Sequence, residues 1–344
     1  MISSSKKDYI IEYRPTCIRV VRVSSYTSPI AIESIEEIPL GNDVRVIAAA
    51  VRKLAGVKVN GYLSGACVVY PERRVIRQIT IDAPKGTEAD FVFKPLGESF
   101  SDVPVELSVH CLSPATGEEI DPSNYNNKEV IVCGVPNVDI VNLQNQMLEH
   151  GIYPNRIELG TIGTIGSLQD ALIQEGSEAP SLFLEIEKTF SNTVIVGPKG
   201  IEMSRRIETG SEDIAFALKG ELNLKDENAA YKLLSSRDFD FSSISRKILR
   251  RLMRELQSSI GFYEVQTGQS VSWIHCSNRV TSMDWLEGSV GSLLNLNPFS
   301  LDLSEWLKAN DIKGADDSLI ERLDISWLGQ LASLCNFKKE EVAA

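Results

Sequence analysis

Few residues in this chain stand at spacings that do chemistry. The three histidines, His110, His150 and His275, have no partner four residues away, and the adjacent pair His275–Cys276 is far from the four ligands of a structural metal site. The six cysteines, Cys17, Cys67, Cys111, Cys133, Cys276 and Cys335, are scattered without a CxxC, which reads as free thiols packed as small apolar groups in a reducing compartment. No Ser-His-Asp, Cys-His or paired-carboxylate arrangement can be picked out. The densest charge pattern is Arg246, Lys247, Arg250, Arg251 and Arg254, which reads either as a solvated helix face or as a contact for an acidic partner. The expectation is therefore no catalytic residue and no metal.

Composition narrows the function classes. Among 344 residues, 43% are hydrophobic and 24% charged, the profile of a globular chain of two-domain length. The net charge of −12 argues against nucleic-acid binding, which needs a Lys/Arg excess to neutralise phosphates. The opening MISSSKKDYI lacks an apolar run of signal-peptide length, and runs such as Val46–Val51 fall well short of the roughly 20 residues that span a bilayer. A cytoplasmic protein with at most indirect membrane association is expected.

The elements that must position any site begin with a β-hairpin over Asp8–Val23, interrupted at Arg14-Pro15-Thr16. A helix is expected over Asp43–Leu54 and strands over Tyr62–Tyr70 and Val75–Ile81. The stretch Asp82–Asn127, rich in Pro, Gly, Ser and acidic residues around a strand at Val105–Cys111, reads as an inserted subdomain. Strand Glu129–Val135 leads into a helix with Asn137 as N-cap, closed by Gly151. The hairpin theme returns at Ser181–Ile186 and Thr193–Val196, followed by a strand at Ile201–Ile207. The clearest helix is Ser243–Gln266, and helices at Leu303–Asn310 and Ser318–Phe337 follow a strand at Ser272–His275. Trp273, Trp285, Trp306 and Trp327 read as core packing.

Two similar hairpins, each opening a half of the chain, resemble the actin-like α/β fold, and the ordered motifs resemble the PilM-like type IV pilus proteins and the related FtsA. Ile11-Glu12-Tyr13-Arg14-Pro15-Thr16-Cys17-Ile18-Arg19-Val20-Val21 is similar to the I-D-I-G-x-x-x-(I/V)-K-V-V opening of that family. Val75-Ile76-Arg77-Gln78-Ile79-Thr80-Ile81 is similar to its V-I-R-x-I-x-L strand, and Met203–Ile214 to its f-s-R-x-I-x-x-G-G-x-x-i segment. Further matches are Glu129–Val135 with the helix and Gly151–Leu159 return, Leu252–Tyr263, and more loosely Trp327-Leu328-Gly329-Gln330-Leu331-Ala332.

The resemblance implies two lobes: subdomain 1A over 1–81, an inserted 1C over 82–155, a return to 1A over 156–180, 2A over 181–210, 2B over 211–270, 2A again over 271–317, and a C-terminal helix over 318–344 returning to 1A. It also implies a nucleotide cleft at Glu12 and Arg14 in the first turn, Glu185 and Glu187 in the second, and Cys276-Ser277-Asn278 in the adenosine motif. All three depart from the pattern: charged side chains replace both turn glycines, and side chains replace the glycine pair. A Glu187 carboxylate about 4 Å from a phosphate would cost roughly 4 kcal/mol at an effective dielectric of 20, nearly three decades of affinity. The resemblance thus implies a cytoplasmic scaffold that grips the N-terminal tail of a PilN-like membrane protein in a groove between 1A and 1C, with degenerate nucleotide motifs and no ATP hydrolysis. Groove candidates are Val75–Ile81 and Asn137–His150. Two alternatives stand: a diverged ATPase or sugar kinase in which Glu12 and Glu185 still hold Mg²⁺ through water, and a component like the type II secretion protein GspL, whose family continues into a transmembrane helix not found here.

Overall fold

The computed structural model of the chain describes residues 8–24, 29–57, 60–81, 106–121, 129–278 and 281–343. The run 82–105, and with it most of the stretch read as an inserted subdomain, lies outside the described residues.

The first hairpin forms as the alternating apolar pattern requires. Strands β1 (Asp8–Tyr13), β2 (Cys17–Val23) and β3 (Ile30–Pro39) make an antiparallel meander. Helix α1 (Val44–Ala55) follows, its Asp43 carboxylate accepting the Arg45 backbone N–H and Gly56 closing it at φ +65°. Strand β4 (Leu63–Val69) then lies parallel to β1. Strands β5 (Val75–Thr80), β6 (Leu107–Leu112) and β7 (Glu129–Pro136) form a separate sheet in the order β5-β7-β6. Helix α2 (Asn137–Glu149), strand β8 (Ile152–Leu159) and helix α3 (Gly160–Gln174) return to the first sheet, where β8 pairs parallel with β4.

The second half repeats this plan. Strands β9 (Ser181–Ile186), β10 (Ser191–Gly197) and β11 (Gly200–Ile207) form another antiparallel meander. Helices α4 (Ser211–Leu222), α5 (Glu227–Leu234), α6 (Ser245–Ile248) and α7 (Arg250–Thr267) lead to β12 (Trp273–Asn278), parallel to β9. After α8 (Leu286–Leu294), β13 (Asn297–Pro298) pairs with β12; α9 (Leu303–Ala309), β14 (Ile312–Gly314), α10 (Asp317–Glu321) and α11 (Leu328–Ala343) complete the chain. The sheet orders are β14-β3-β2-β1-β4-β8 and β11-β10-β9-β12-β13, so both halves share a meander followed by two parallel strands.

The strands are buried on both faces, which sets the layering. Ile10, Val21, Ala66 and Val68 face the core shared with α3, α11 and the second sheet, while Ile11, Val20, Cys67 and Val69 face the α1–α2 side. In the second sheet, Phe183, Val194 and Val196 face the shared core and Leu182, Leu184 and Ile195 face helices α4 to α8. Helices α3 and α11 thus lie between the two lobes. Their contact is set by glycines: a Cβ on Gly163 would lie 3.0 Å from the Gly329 carbonyl oxygen, and one on Gly329 would lie 2.6 Å from the Tyr70 hydroxyl and 2.9 Å from Thr164 Oγ1. All six cysteines are free thiols, as expected, and Trp306 and Trp327 are buried in the shared core.

Three boundaries differ from the sequence reading. The long helix expected over Ser243–Gln266 is broken at Leu249, which leaves helical geometry (φ −92°, ψ 0°) and lets both Ile248 and Leu249 reach the core. Asn137 is the first helical residue rather than the N-cap; its Oδ1 accepts from Ser108 Oγ at 2.7 Å and ties α2 to β6. The helix expected over Ser318–Phe337 is interrupted by a 3-10 turn at Ile325–Trp327, because the Asp324 carboxylate accepts the Ser326 N–H at 2.9 Å in competition with the helical backbone.

Two outcomes are expected. Gly329→Val should lower unfolding free energy by about 1–3 kcal/mol through overpacking at the helix crossing, read by urea denaturation. At the end of β1, the Tyr13 hydroxyl lies 2.8 Å from His150 Nδ1; burial pulls the His150 imidazolium down and pushes the Tyr13 hydroxyl up to about 12. Both groups are held neutral by folding, so this pair's stabilisation is complete between roughly pH 6.5 and 10, where neither is ionised unfolded. It should be lost as pH falls below about 6.5 or rises from about 10 to 12. Unfolding midpoints across pH should show both limbs, and Tyr13→Phe should remove the alkaline contribution.

Candidate functional site

The two hairpin turns face one another across the lobes, as their positions in the repeated meanders require. Glu12 ends up fully buried near the end of β1, and Glu185 and Glu187 flank the end of β9, both buried. Three carboxylates gathered in the interior need counter-charge. Arg74, which follows β4 in the loop Tyr70-Pro71-Glu72-Arg73-Arg74, supplies it.

The Arg74 guanidinium is buried between the lobes and uses its whole fork. Nη2 pairs with Glu185 Oε2 at 2.5 Å and with Glu187 Oε1; Nη1 donates to the Pro71 carbonyl at 2.8 Å; Nε donates to Thr161 Oγ1 at 2.9 Å. Thr161, in the first turn of α3, donates its own hydroxyl hydrogen bond to Glu185, whose Oε2 also accepts from Asn192 Nδ2 at 3.1 Å. Burial by itself would pull the Arg74 guanidinium down, but the two glutamates beside it hold it above its ordinary value. On the first-lobe side, Glu12 accepts from the Tyr70 hydroxyl at 2.7 Å, with Arg19 Nη1 and Arg14 Nε 3.7 and 3.9 Å from its other oxygen. The Tyr70 ring lies against Arg74 and fills the space opened by Gly160 and Gly329.

One backbone donor of each turn is also engaged. The Arg14 N–H bonds the Cys17 carbonyl at 3.0 Å, and the Glu187 N–H bonds the Phe190 carbonyl at 2.9 Å. The start of α4 closes over the second turn, Ser211 and Glu212 donating to the carbonyls of Glu187 and Lys188. Glu187 therefore does not face the cleft as a lone charge, as the sequence argument supposed; it is paired with Arg74, which it shares with Glu185. Cys276, Ser277 and Asn278 belong to β12, paired with Leu184, Glu185 and Ile186, rather than following the strand. The strand extends because Glu287 on α8 reaches back and accepts the Cys276 N–H at 2.7 Å, beside His275. Burial, with Glu287 beside it, pushes the Cys276 thiol well up and so disfavours its thiolate form. The side chain of Asn278 lies outside the described part.

Beside this network a cleft of about 1080 Å³ opens between the lobes, lined by Arg14, Arg19, Lys188, Lys232, His275 and Ser277 among others. A divalent ion fits these carboxylates poorly: Glu185 is engaged by Arg74, Thr161 and Asn192, Glu187 by Arg74, and Glu12 by Tyr70 on one oxygen with two arginines 3.7 and 3.9 Å from the other. Among the described residues no cluster of three or more His, Cys, Asp or Glu is placed to hold a metal. The structure thus brings Glu12, Arg14, Glu185, Glu187, Cys276 and Ser277 to one interlobe region. Sequence reasoning missed Arg74, Tyr70, Thr161 and Glu287. One signal was available: two glutamates displacing glycine and aspartate positions call for a new cation, and Arg73-Arg74 between two strands is a ready source.

The architecture aligns with a solved structure of a PilM-PilN type IV pilus biogenesis complex over 97% of this chain and 99% of that one, with a TM-score of 0.67 and 15% identity. The fold is actin-like. Weaker likenesses are a protein of actin-like ATPase fold and unknown function from Bacteroides thetaiotaomicron (TM-score 0.45, 9% identity, 97% and 98% of the chains) and the cytoplasmic domain of EpsL, an inner membrane component of the type II secretion system of Vibrio cholerae (TM-score 0.40, 8% identity, 93% and 98%). No family model matches the chain, and no curated protein matches it. Within the actin-like fold the interlobe region is where both turns and β12 converge, so Arg74 stands at its centre. No helix of the described residues is long and apolar enough to cross a membrane.

Exchanging Arg74 for methionine alone should destabilise the protein by about 3–5 kcal/mol, because two buried carboxylates lose their partner. The triple variant Arg74→Met, Glu185→Gln, Glu187→Gln should recover most of that loss; thermal and urea unfolding of both variants check the pair.

Proposed function

We propose that the chain is a cytoplasmic actin-like scaffold of a type IV pilus inner-membrane assembly platform, binding the N-terminal tail of a PilN-like membrane protein without hydrolysing ATP. The observation that supports a reading without hydrolysis is the Arg74 guanidinium seated between Glu185 and Glu187, which occupies both carboxylates of the second turn. The likeness to the pilus biogenesis complex supports the pilus role and the partner class. The protein then sits at the membrane only through its partners.

The tail would occupy the groove beside α2. The outward face of that helix carries Val138 and Val141, each about half exposed, although α2 is otherwise polar outside. These are large apolar side chains with something to gain from a partner, and an extended or helical tail can be read by such anchors. The strand Val75–Thr80, by contrast, has an engaged edge: its Gln78 N–H bonds Ser204 Oγ of β11, which makes it a wall between the lobes rather than an open edge. The groove reading therefore rests on α2. The size of the interlobe cleft favours a second reading, a nucleotide bound without chemistry.

Calorimetric titration with Mg-ATP should give no heat at high micromolar nucleotide, whereas a synthetic PilN-like tail should bind. Val138→Glu with Val141→Glu should weaken the tail about tenfold or more, since a charge must be desolvated against it. Saturable Mg-ATP binding with turnover would replace the scaffold by the ATPase reading. Co-purification that recovers no inner-membrane pilus component would remove the platform role.

A further inference from the structure

Arg74 joins the lobes as well as neutralising carboxylates. It leaves the first lobe directly after β4, and its partners Glu185 and Glu187 belong to β9 and the turn that follows it in the second lobe. Every donor it uses is buried, so the contact is neither screened nor replaceable by water. Without the guanidinium, Glu185 and Glu187 would be left as unpaired buried charges on one side of the interface, and hydrating them favours separation of the lobes. The neighbouring side chain points the other way: Arg73 makes a two-pronged pair with Asp139 in the first turn of α2, its Nε donating to Oδ2 at 2.8 Å. One short loop therefore clips α2 with one arginine and the second lobe with the next.

We propose that Arg74 is a built-in latch that holds the two lobes closed with no metal or nucleotide, and that through Arg73 it presets α2 in the arrangement that accepts a partner. The coupling to α2 rests on the scaffold reading above; the latch itself does not. An interlobe bond supplied by the chain replaces an equilibrium that a dissociable ligand would otherwise shift. The other contacts across the lobes are the apolar core shared by the two sheets, Ser204 with Gln78 and Ile76, and the close approach of Gly200 to the Pro114 carbonyl. None of them carries charge, so they pack and align the lobes, and Arg74 alone among these contacts is an ion pair between them.

The test measures the distance between spin labels placed at Glu37 and Lys232, one on each side of the cleft, in the full chain. Wild type should give one narrow distance that neither Mg-ATP nor guanidinium ion changes. The triple variant Arg74→Met, Glu185→Gln, Glu187→Gln leaves none of this cluster's charges buried and unpaired, has lost the bond between the lobes, and should show a longer or broader distribution. Arg74→Ala should be open as well, and low-millimolar guanidinium ion, added as the missing group, should return it toward the wild-type distance. A triple variant with the wild-type distribution would overturn the latch, as would an Arg74→Ala chain that stays closed without guanidinium. Affinity for the tail peptide should fall by about fivefold or more in the triple variant, within the ordinary range of coupling between two sites. Arg73→Ala should lower it similarly while the label distance stays that of wild type. Unchanged affinity in the open triple variant would overturn the coupling alone, whereas a wild-type protein that binds no tail at all would count against the scaffold reading and leave the latch to be judged on distances.

Discussion

A cation buried between two carboxylates constrains everything around it. Arg74 contributes little as a net attraction, since removing three charges from water offsets most of the Coulombic gain. Its effect lies in what it forbids: with Glu185 and Glu187 in the interior, any arrangement lacking a guanidinium between them leaves unpaired buried charge. The lobes, the loop after β4 and the start of α3 are therefore fixed relative to one another by the geometry of one fork. Thr161 and the Pro71 carbonyl complete that fork and Asn192 donates to Glu185 beside it, so the cluster depends on three separate segments.

The glycines of the helix crossing belong to the same constraint. Tyr70 reaches Glu12 only because Gly160 and Gly329 leave room for its ring, and the ring in turn lies beside Arg74. Tight packing of α3 on α11 and ionic closure at the turns are thus one structure with two aspects, steric and electrostatic. The shared core, drawn from both sheets and both helices, buries the apolar area that stabilises it.

In an actin-like fold, two hairpin turns that face each other across a cleft are suited to hold a polyanion and its metal. Here one N–H of each turn is bonded within the chain, the carboxylates are paired with arginines, and Glu287 takes the N–H at Cys276. The polar groups that converge between the lobes are thus held by the chain's own side chains.

Local pattern was enough for much of this. The hairpins at Asp8–Val23 and Ser181–Ile207, the helix after Asp43 and the strand-to-helix step at Glu129–His150 were legible from alternation and caps, because these depend on near neighbours. The order of elements carried the actin-like fold, and the charged residues at Glu12, Arg14, Glu185 and Glu187 marked the turns as altered. Sequence alone could not place Arg74, since its partners lie 111 and 113 residues away and only closure of the lobes brings them within hydrogen-bonding distance. The break at Leu249 was hidden for the same reason: the apolar periodicity runs through it, and the core behind it decides where the helix yields. The length of β12 was likewise set from outside, by Glu287 folding back on Cys276. What the residues determined by themselves was the set of elements and the charges on the turns; what tertiary structure decided was which charge meets which, because burial turns distant residues into obligatory partners.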